Sequence, residues 1–163
     1  MCDCSTKVVD ITLAQCNDEI CILFCLEITL HAIHGEYNIT VLDDMIKITV
    51  HGAFNDVGAK ALVSELKDIV LAYEHAPFVI MGNLLDFGGG TPEVFAESEE
   101  FNAWLNSRNM IAKALIFTSP ALIAIEKALV KSKSMQNIQY FENENDAKQW
   151  LDKQIEESQY KFG

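Results

Sequence analysis

The sequence predicts an α/β domain in which a mixed sheet of four to five strands is joined by about four helices. Three observations predict it. Tyr37–Val41 and Met45–Val50 alternate apolar and polar residues on either side of Asp43-Asp44, as the two strands of a hairpin do. Beyond them, segments with helical spacing alternate with short apolar runs. Those runs are continuous rather than alternating, the character of strands covered on both faces.

Each element follows in order. Asn55 stands as an N-cap before a helix from Asp56 to about Glu74. Its Leu62, Leu66, Ile69, Val70 and Tyr73 share one face at helical spacing. Pro77 stops that helix, and Phe78–Met81 reads as a strand that Leu84-Leu85-Asp86-Phe87 carries into a loop at Gly88-Gly89-Gly90. Thr91 as N-cap and Pro92 at the first helical position open a second helix, with Val94, Phe101 and Leu105 on one stripe and Trp104 beside it. Ala112–Phe117 is another strand. Ser119-Pro120 repeats the capped start and opens a third helix through Lys131, Ile138–Phe141 is the last strand, and Asn143 caps a final helix carrying Ala147, Trp150, Leu151 and Ile155. The order β-β-α-β-α-β-α-β-α implies crossover helices on a mixed sheet.

The domain proper is expected over residues 35–163. Residues 1–34 form a Cys-rich apolar lead whose Val8–Leu13 and Ile20–Leu30 favour an extra edge hairpin over a helix, because β-branched residues dominate them. Such a hairpin needs cover from the body or from a second subunit, as a dimer arm. The alternative is a leader marginal to function, with the true start downstream. All five cysteines (Cys2, Cys4, Cys16, Cys21, Cys25) fall here. Cys2 and Cys4 are too close for a zinc knuckle, and Cys21 and Cys25 read as small core hydrophobes, so neither metal nor disulfides are expected. The start lacks the basic region of a secretory signal, and the 14-residue run Ile20–Ile33 is short of a membrane span. A cytoplasmic location is expected.

Charge narrows the partners. Twelve Lys and Arg against 24 Asp and Glu leave a net charge of −12, and Arg108 is the only arginine. Nucleic acids and anionic membrane surfaces need clustered cations and are not expected partners.

From Tyr37 to about Ile155 the chain resembles the SpoIIAA-like, or STAS-type, families. The resemblance is carried by the strand pair ending in Val50-His51-Gly52 and by the helix start at Asn55-Asp56. The strand ending in Leu85-Asp86-Phe87 and the strand Ala114-Leu-Ile-Phe-Thr118 match as well. The closing Phe141-Glu-Asn-Glu-Asn-Asp-Ala147, followed by Trp150-Leu151, is the most specific piece, being typical of an uncharacterised bacterial branch. The resemblance implies a small α/β domain that binds rather than catalyses, related in shape to CRAL-TRIO lipid-binding domains. In the phospho-switched branch a serine in an Asp-Ser-x-Gly context opens the second helix. Here that stretch is Asp86-Phe87-Gly88-Gly89-Gly90-Thr91, so the serine is missing. Thr91 is the nearest hydroxyl and reads first as an N-cap.

The candidate ligand edge is Asp86, Phe87, Gly88, Gly89, Gly90 and Thr91, with Trp104 nearby. Glycines at a strand's C-terminal end before a helix expose N–H groups, and open α/β sheets bind ligands at that end. A tight turn needing positive φ explains the glycines more simply. Asp86-Phe87-Gly88 spells a kinase triplet without its companions, and no serine sits in Gly-x-Ser-x-Gly. His51 and His75 lack partners at metal spacing. Glu97-Ser98-Glu99-Glu100 reads as a solvated helix face, and Lys127, Lys131 and Lys133 as cations complementing the third helix's dipole. No catalytic residue, metal or cofactor is expected.

Two functions follow. The first is a non-enzymatic protein-interaction or regulatory module, self-associating as a homodimer. The alternative binds a small apolar or lipid-like ligand among Phe87, Phe95, Trp104 and Trp150. Thiol chemistry at Cys2 and Cys4 is a distant third.

Overall fold

Strand β1 (Glu36–Leu42) folds back antiparallel onto β2 (Met45–Phe54), with Leu42 opposite Met45. The turn sits at Asp43-Asp44, where Asp43 takes φ of 49°, a left-handed conformation that Asp tolerates better than bulky residues do. This is a computed structural model, and it describes residues 33–162. The strands expected within Val8–Leu13 and Ile20–Leu30 lie outside the described residues, as do all five cysteines.

Helix α1 (Asp56–Ala72) follows, capped by Asn55, whose Oδ1 accepts from the Gly58 N–H at 2.9 Å. Then come β3 (Phe78–Gly90), α2 (Pro92–Leu105), β4 (Met110–Ile116) and α3 (Pro120–Leu129). A 3-10 turn (Lys131–Met135), β5 (Ile138–Phe141) and α4 (Glu144–Phe162) complete the chain. The third helix therefore stops at Leu129 rather than reaching Lys131, and a tighter turn replaces its last residues. The sheet has five strands in the order β1-β2-β3-β4-β5, parallel from β2 onward.

Sequential parallel strands joined by right-handed crossovers all advance in one direction, so α1, α2 and α3 fall on the same face. Helix α4 follows the last strand, is bound by no crossover, and covers the other face. The strand alternation serves both layers. Ile46, Phe78 and Ile80 pack with Val63, Leu66, Val70, Phe101 and Leu105 of α1 and α2. Met45, Val79, Met81, Ala112, Ala114 and Ile116 pack with Ala147 and Leu151 of α4. Phe78–Met81 is at most 2% exposed, the two-sided burial expected of a continuous apolar run. Each such side chain contributes about 1.5–3 kcal/mol on leaving water.

One difference from the sequence reading lies next to the candidate edge. Gly88-Gly89-Gly90 is not a loop but the end of β3, whose Asp86, Phe87 and Gly90 pair with His51, Gly52 and Phe54 of β2. The pairing crosses two register shifts, between Thr49 and His51 and between Gly52 and Phe54. Glycine makes the extension feasible. A Cβ on Gly88 would lie 3.2 Å from the backbone of Gly52 and Ala53, and Gly89 has φ of 96°.

Candidate functional site

On the three-helix face a cavity of about 160 Å³ remains between the sheet and α1, α2 and α3. Its floor comes from the strand residues that point to this face: Ile48, Val50 and Phe54 of β2, Ile80, Gly82, Leu84 and Phe87 of β3, and Lys113 and Leu115 of β4, with Phe117 just past its end. Its walls are Ala59, Leu62, Val63 and Leu66 of α1, Val94, Phe95, Ser98, Phe101 and Asn102 of α2, and Leu122 and Glu126 of α3. Asn83 and Lys133 complete the lining. Gly82 withholds a side chain from the middle of β3. A Cβ there would meet Leu115 Cδ2 at 2.9 Å. An engineered apolar cavity of about 150 Å³ in another protein holds benzene, which sets the scale of a fitting guest.

The polar residues gather in one corner. Lys113 is 4% exposed, and its Nζ donates to Asn102 Oδ1 at 2.5 Å. The Asn102 amide nitrogen donates back along α2 to the Ser98 carbonyl at 2.7 Å. Lys133 Nζ donates to Glu126, whose other carboxylate oxygen accepts from the Tyr140 hydroxyl at 2.8 Å. Burial pushes the Lys113 amine down to about 7, since a low-dielectric site disfavours the charged form. Lys133 is driven well below its ordinary value by burial first and by the nearby Lys113 charge second. Burial also raises the Tyr140 phenol.

Two sequence expectations change here. Lys133 does not simply complement the dipole of the third helix; it is buried against Glu126 in the turn that follows. Within Glu97-Ser98-Glu99-Glu100, Glu99 is not merely solvated. Its carboxylate accepts from the Ser132 N–H at 3.0 Å and from the Ser132 hydroxyl at 2.8 Å, tying α2 to the 3-10 turn. The Ser132 N–H, then its hydroxyl, hold that carboxyl below its ordinary value.

The residues of the candidate edge are distributed as follows. Phe87 lines the cavity, with its ring 6.1 Å from that of Phe54. Asp86 is exposed, and its Oδ2 lies 3.0 Å from His51 Nδ1 on the neighbouring strand. Gly88, Gly89 and Gly90 are held in the sheet extension. Thr91 occupies the N-cap position of α2 without a side-chain bond to the helix backbone. Its hydroxyl instead hydrogen-bonds Glu93, which is the main reason the Glu93 carboxyl sits below its ordinary value. Trp104 is not brought to the cavity. It stacks on Phe101 at 5.9 Å and carries the Arg108 guanidinium 4.3 Å above its ring. Of the four aromatic residues considered for an apolar ligand, Phe87 and Phe95 meet in the lining, whereas Trp150 packs on Phe141 beneath the opposite face of the sheet.

The sequence reading did not single out Lys113 or Asn102. A signal was present, because a lysine in the apolar run Met110–Ile116 is placed where both faces are covered. Among the described residues no three His, Cys, Asp or Glu side chains converge as metal ligands, and no helix is long and apolar enough to cross a membrane.

Residues 45–152 match the SpoIIAA-like family. No curated protein matches the chain in sequence. Among solved structures, an uncharacterised protein of the DUF3478 family with a SpoIIAA-like fold, from Shewanella loihica, superposes with a TM-score of 0.56. It is 13% identical, over 74% of this chain and 95% of that one. An anti-sigma factor antagonist from Mycobacterium paratuberculosis superposes with a TM-score of 0.54 at 14% identity, over 72% of this chain and 93% of its own. At such identities the likeness is one of fold.

Proposed function

Because the chain belongs to the SpoIIAA-like family, we propose that it is a non-enzymatic regulatory module that acts by binding. One observation carries this reading. The cavity is apolar over most of its lining, and its polar groups bond to one another rather than presenting a paired acid and base to a substrate. The anti-sigma factor antagonist that shares the fold supports a protein as partner. In this reading the docking edge lies at the C-terminal ends of β2 and β3, where Leu85, Asp86 and His51 are exposed. Self-association belongs to the same proposal, and so does a cytoplasmic location. Light scattering of the full chain across micromolar concentrations tests the dimer. A mass that stays monomeric throughout removes self-association from the proposal.

The apolar volume between the sheet and the three helices favours a second reading, in which the module takes up a small apolar ligand. Phe54, Phe87, Phe95, Phe101 and Phe117 all contribute to that volume. Native mass spectrometry of freshly purified protein is expected to show a small non-covalent adduct that mild heating releases. A bare mass, together with no thermal shift on adding benzene-sized apolar compounds, eliminates this reading.

A further inference from the structure

We propose that the cavity binds a small hydrophobic monocarboxylate, one aromatic ring or a branched short chain bearing a single COO⁻, with the carboxylate seated against Lys113 Nζ. The inference rests on the cavity being a ligand site and names what that site selects.

Size sets the first limit. About 160 Å³ suits a benzoate-sized body. Charge sets the second. The lining holds two amines, Lys113 and Lys133, against one carboxylate, Glu126. Glu126 is already engaged by Lys133 Nζ and the Tyr140 hydroxyl. Glu99, the nearby acid on α2, is held by Ser132, and its charge acts on Lys133 rather than on Lys113. Among the described residues, the partner of Lys113 is therefore the neutral Asn102 amide.

An ammonium group has three N–H donors, and Asn102 satisfies one. A buried cation without a counter-ion is costly by several kcal/mol. An incoming carboxylate that fills the open N–H positions of the amine offsets that cost against its own desolvation, which an uncharged molecule of the same shape does not do. The lowered value of the amine fits this arrangement, since binding the anion draws a proton onto Lys113. A phosphate monoester or dicarboxylate brings a second negative charge for which the corner has no free cation. One carboxylate on an apolar body is the match.

The test is titration calorimetry on the full chain near pH 7, with benzoate, phenylacetate and 4-methylpentanoate set against benzamide, phenylacetamide and 4-methylpentanamide. The acids are expected to bind at least tenfold more tightly than their amides. In Lys113→Met that preference is expected to vanish while the amides retain their affinity. Equal affinity of acids and amides for the wild type overturns the assignment to Lys113 but leaves the apolar-ligand reading standing. Absence of binding by all six compounds overturns both. If Lys113→Met does not fold, Asn102→Asp, which neutralises the same amine from within, is expected to abolish the preference, and a preference that survives it overturns the assignment.

Discussion

Lys113 on β4 and Asn102 on α2 are joined by a 2.5 Å hydrogen bond inside the protein, with a neutral amide standing where a buried amine would ordinarily meet an acid. Asn102 is shared further, since its backbone carbonyl accepts from Gln136 Nε2 at 3.0 Å. The pair thus links strand, helix and the turn after α3, and it lines the cavity on the way. Because burial lowers the amine, the stability of the fold is expected to depend on pH.

The amine has a folded value near 7 against an ordinary 10.5, so between those pH values the unfolded chain holds the extra proton. Stability from this group therefore rises as pH climbs from about 7 toward 10 and is flat below 7, where both states are charged. Lys113→Met removes the group. The stability of the variant minus that of the wild type is expected to fall by about 3 kcal/mol over that range, at 1.36 kcal/mol per unit. Urea unfolding of both proteins at pH 7, 8, 9 and 10 measures it. Parallel curves would show that the amine keeps its ordinary value.

Asn102→Asp places a carboxylate on the amine from within. The variant is expected to flatten the same pH dependence and to weaken benzoate at least tenfold, because the cation is then already neutralised. The Ser98 carbonyl loses its bond from the amide nitrogen, for about 1 kcal/mol. Calorimetry and urea unfolding read the two effects separately. Undiminished benzoate affinity would place the anion elsewhere.

Two glycines with positive φ separate strain from crowding. Gly52 has φ of 74° and open space around its missing Cβ, so Gly52→Ala is expected to cost about 1–2 kcal/mol of backbone strain alone. Gly35 has φ of 89°, and a Cβ there would lie 2.3 Å from the Phe54 ring. Gly35→Ala is expected to exceed Gly52→Ala by at least 1 kcal/mol in urea unfolding, because a packed core ring must move as well. Equal losses would mean that the Phe54 ring shifts freely.

Leu151 on α4 is fully buried against the face of the sheet away from the cavity. Leu151→Ala is expected to destabilise the fold by about 2–5 kcal/mol, since the hole it leaves is walled by sheet. The acid-to-amide ratio at the cavity is expected to stay unchanged below the melting temperature. A changed ratio would show that the two faces communicate through β3 and β4.

Much of this molecule is legible residue by residue. Alternation in Tyr37–Val41 and Met45–Val50 specifies the hairpin, and helical spacing in Leu62, Leu66, Ile69 and Val70 specifies the buried stripe of α1. Asn143 caps the last helix as expected, accepting from the Asp146 N–H at 3.0 Å. These features depend on neighbours within a turn or two of chain, so local pattern is enough to reveal them. The extension of β3 through Gly90 is different. Its hydrogen-bonding partner is the end of β2, more than 30 residues earlier, and three glycines carry no pattern of their own.

The cavity is of the same kind. Phe87 and Trp104 both look like ligand-binding aromatics in the sequence, yet the pairing of β3 with β2 turns Phe87 to the space, while the packing of α2 turns Trp104 away to Phe101 and Arg108. By itself, then, the sequence determined the family, the order of elements and the apolar stripes, because periodicity and caps are written locally. Tertiary structure alone decided that Lys113, Asn102, Glu126 and Lys133 share one buried corner. They come from β4, α2, α3 and the 3-10 turn, and a charge balance among side chains that meet only on folding has no signature in their spacing along the chain.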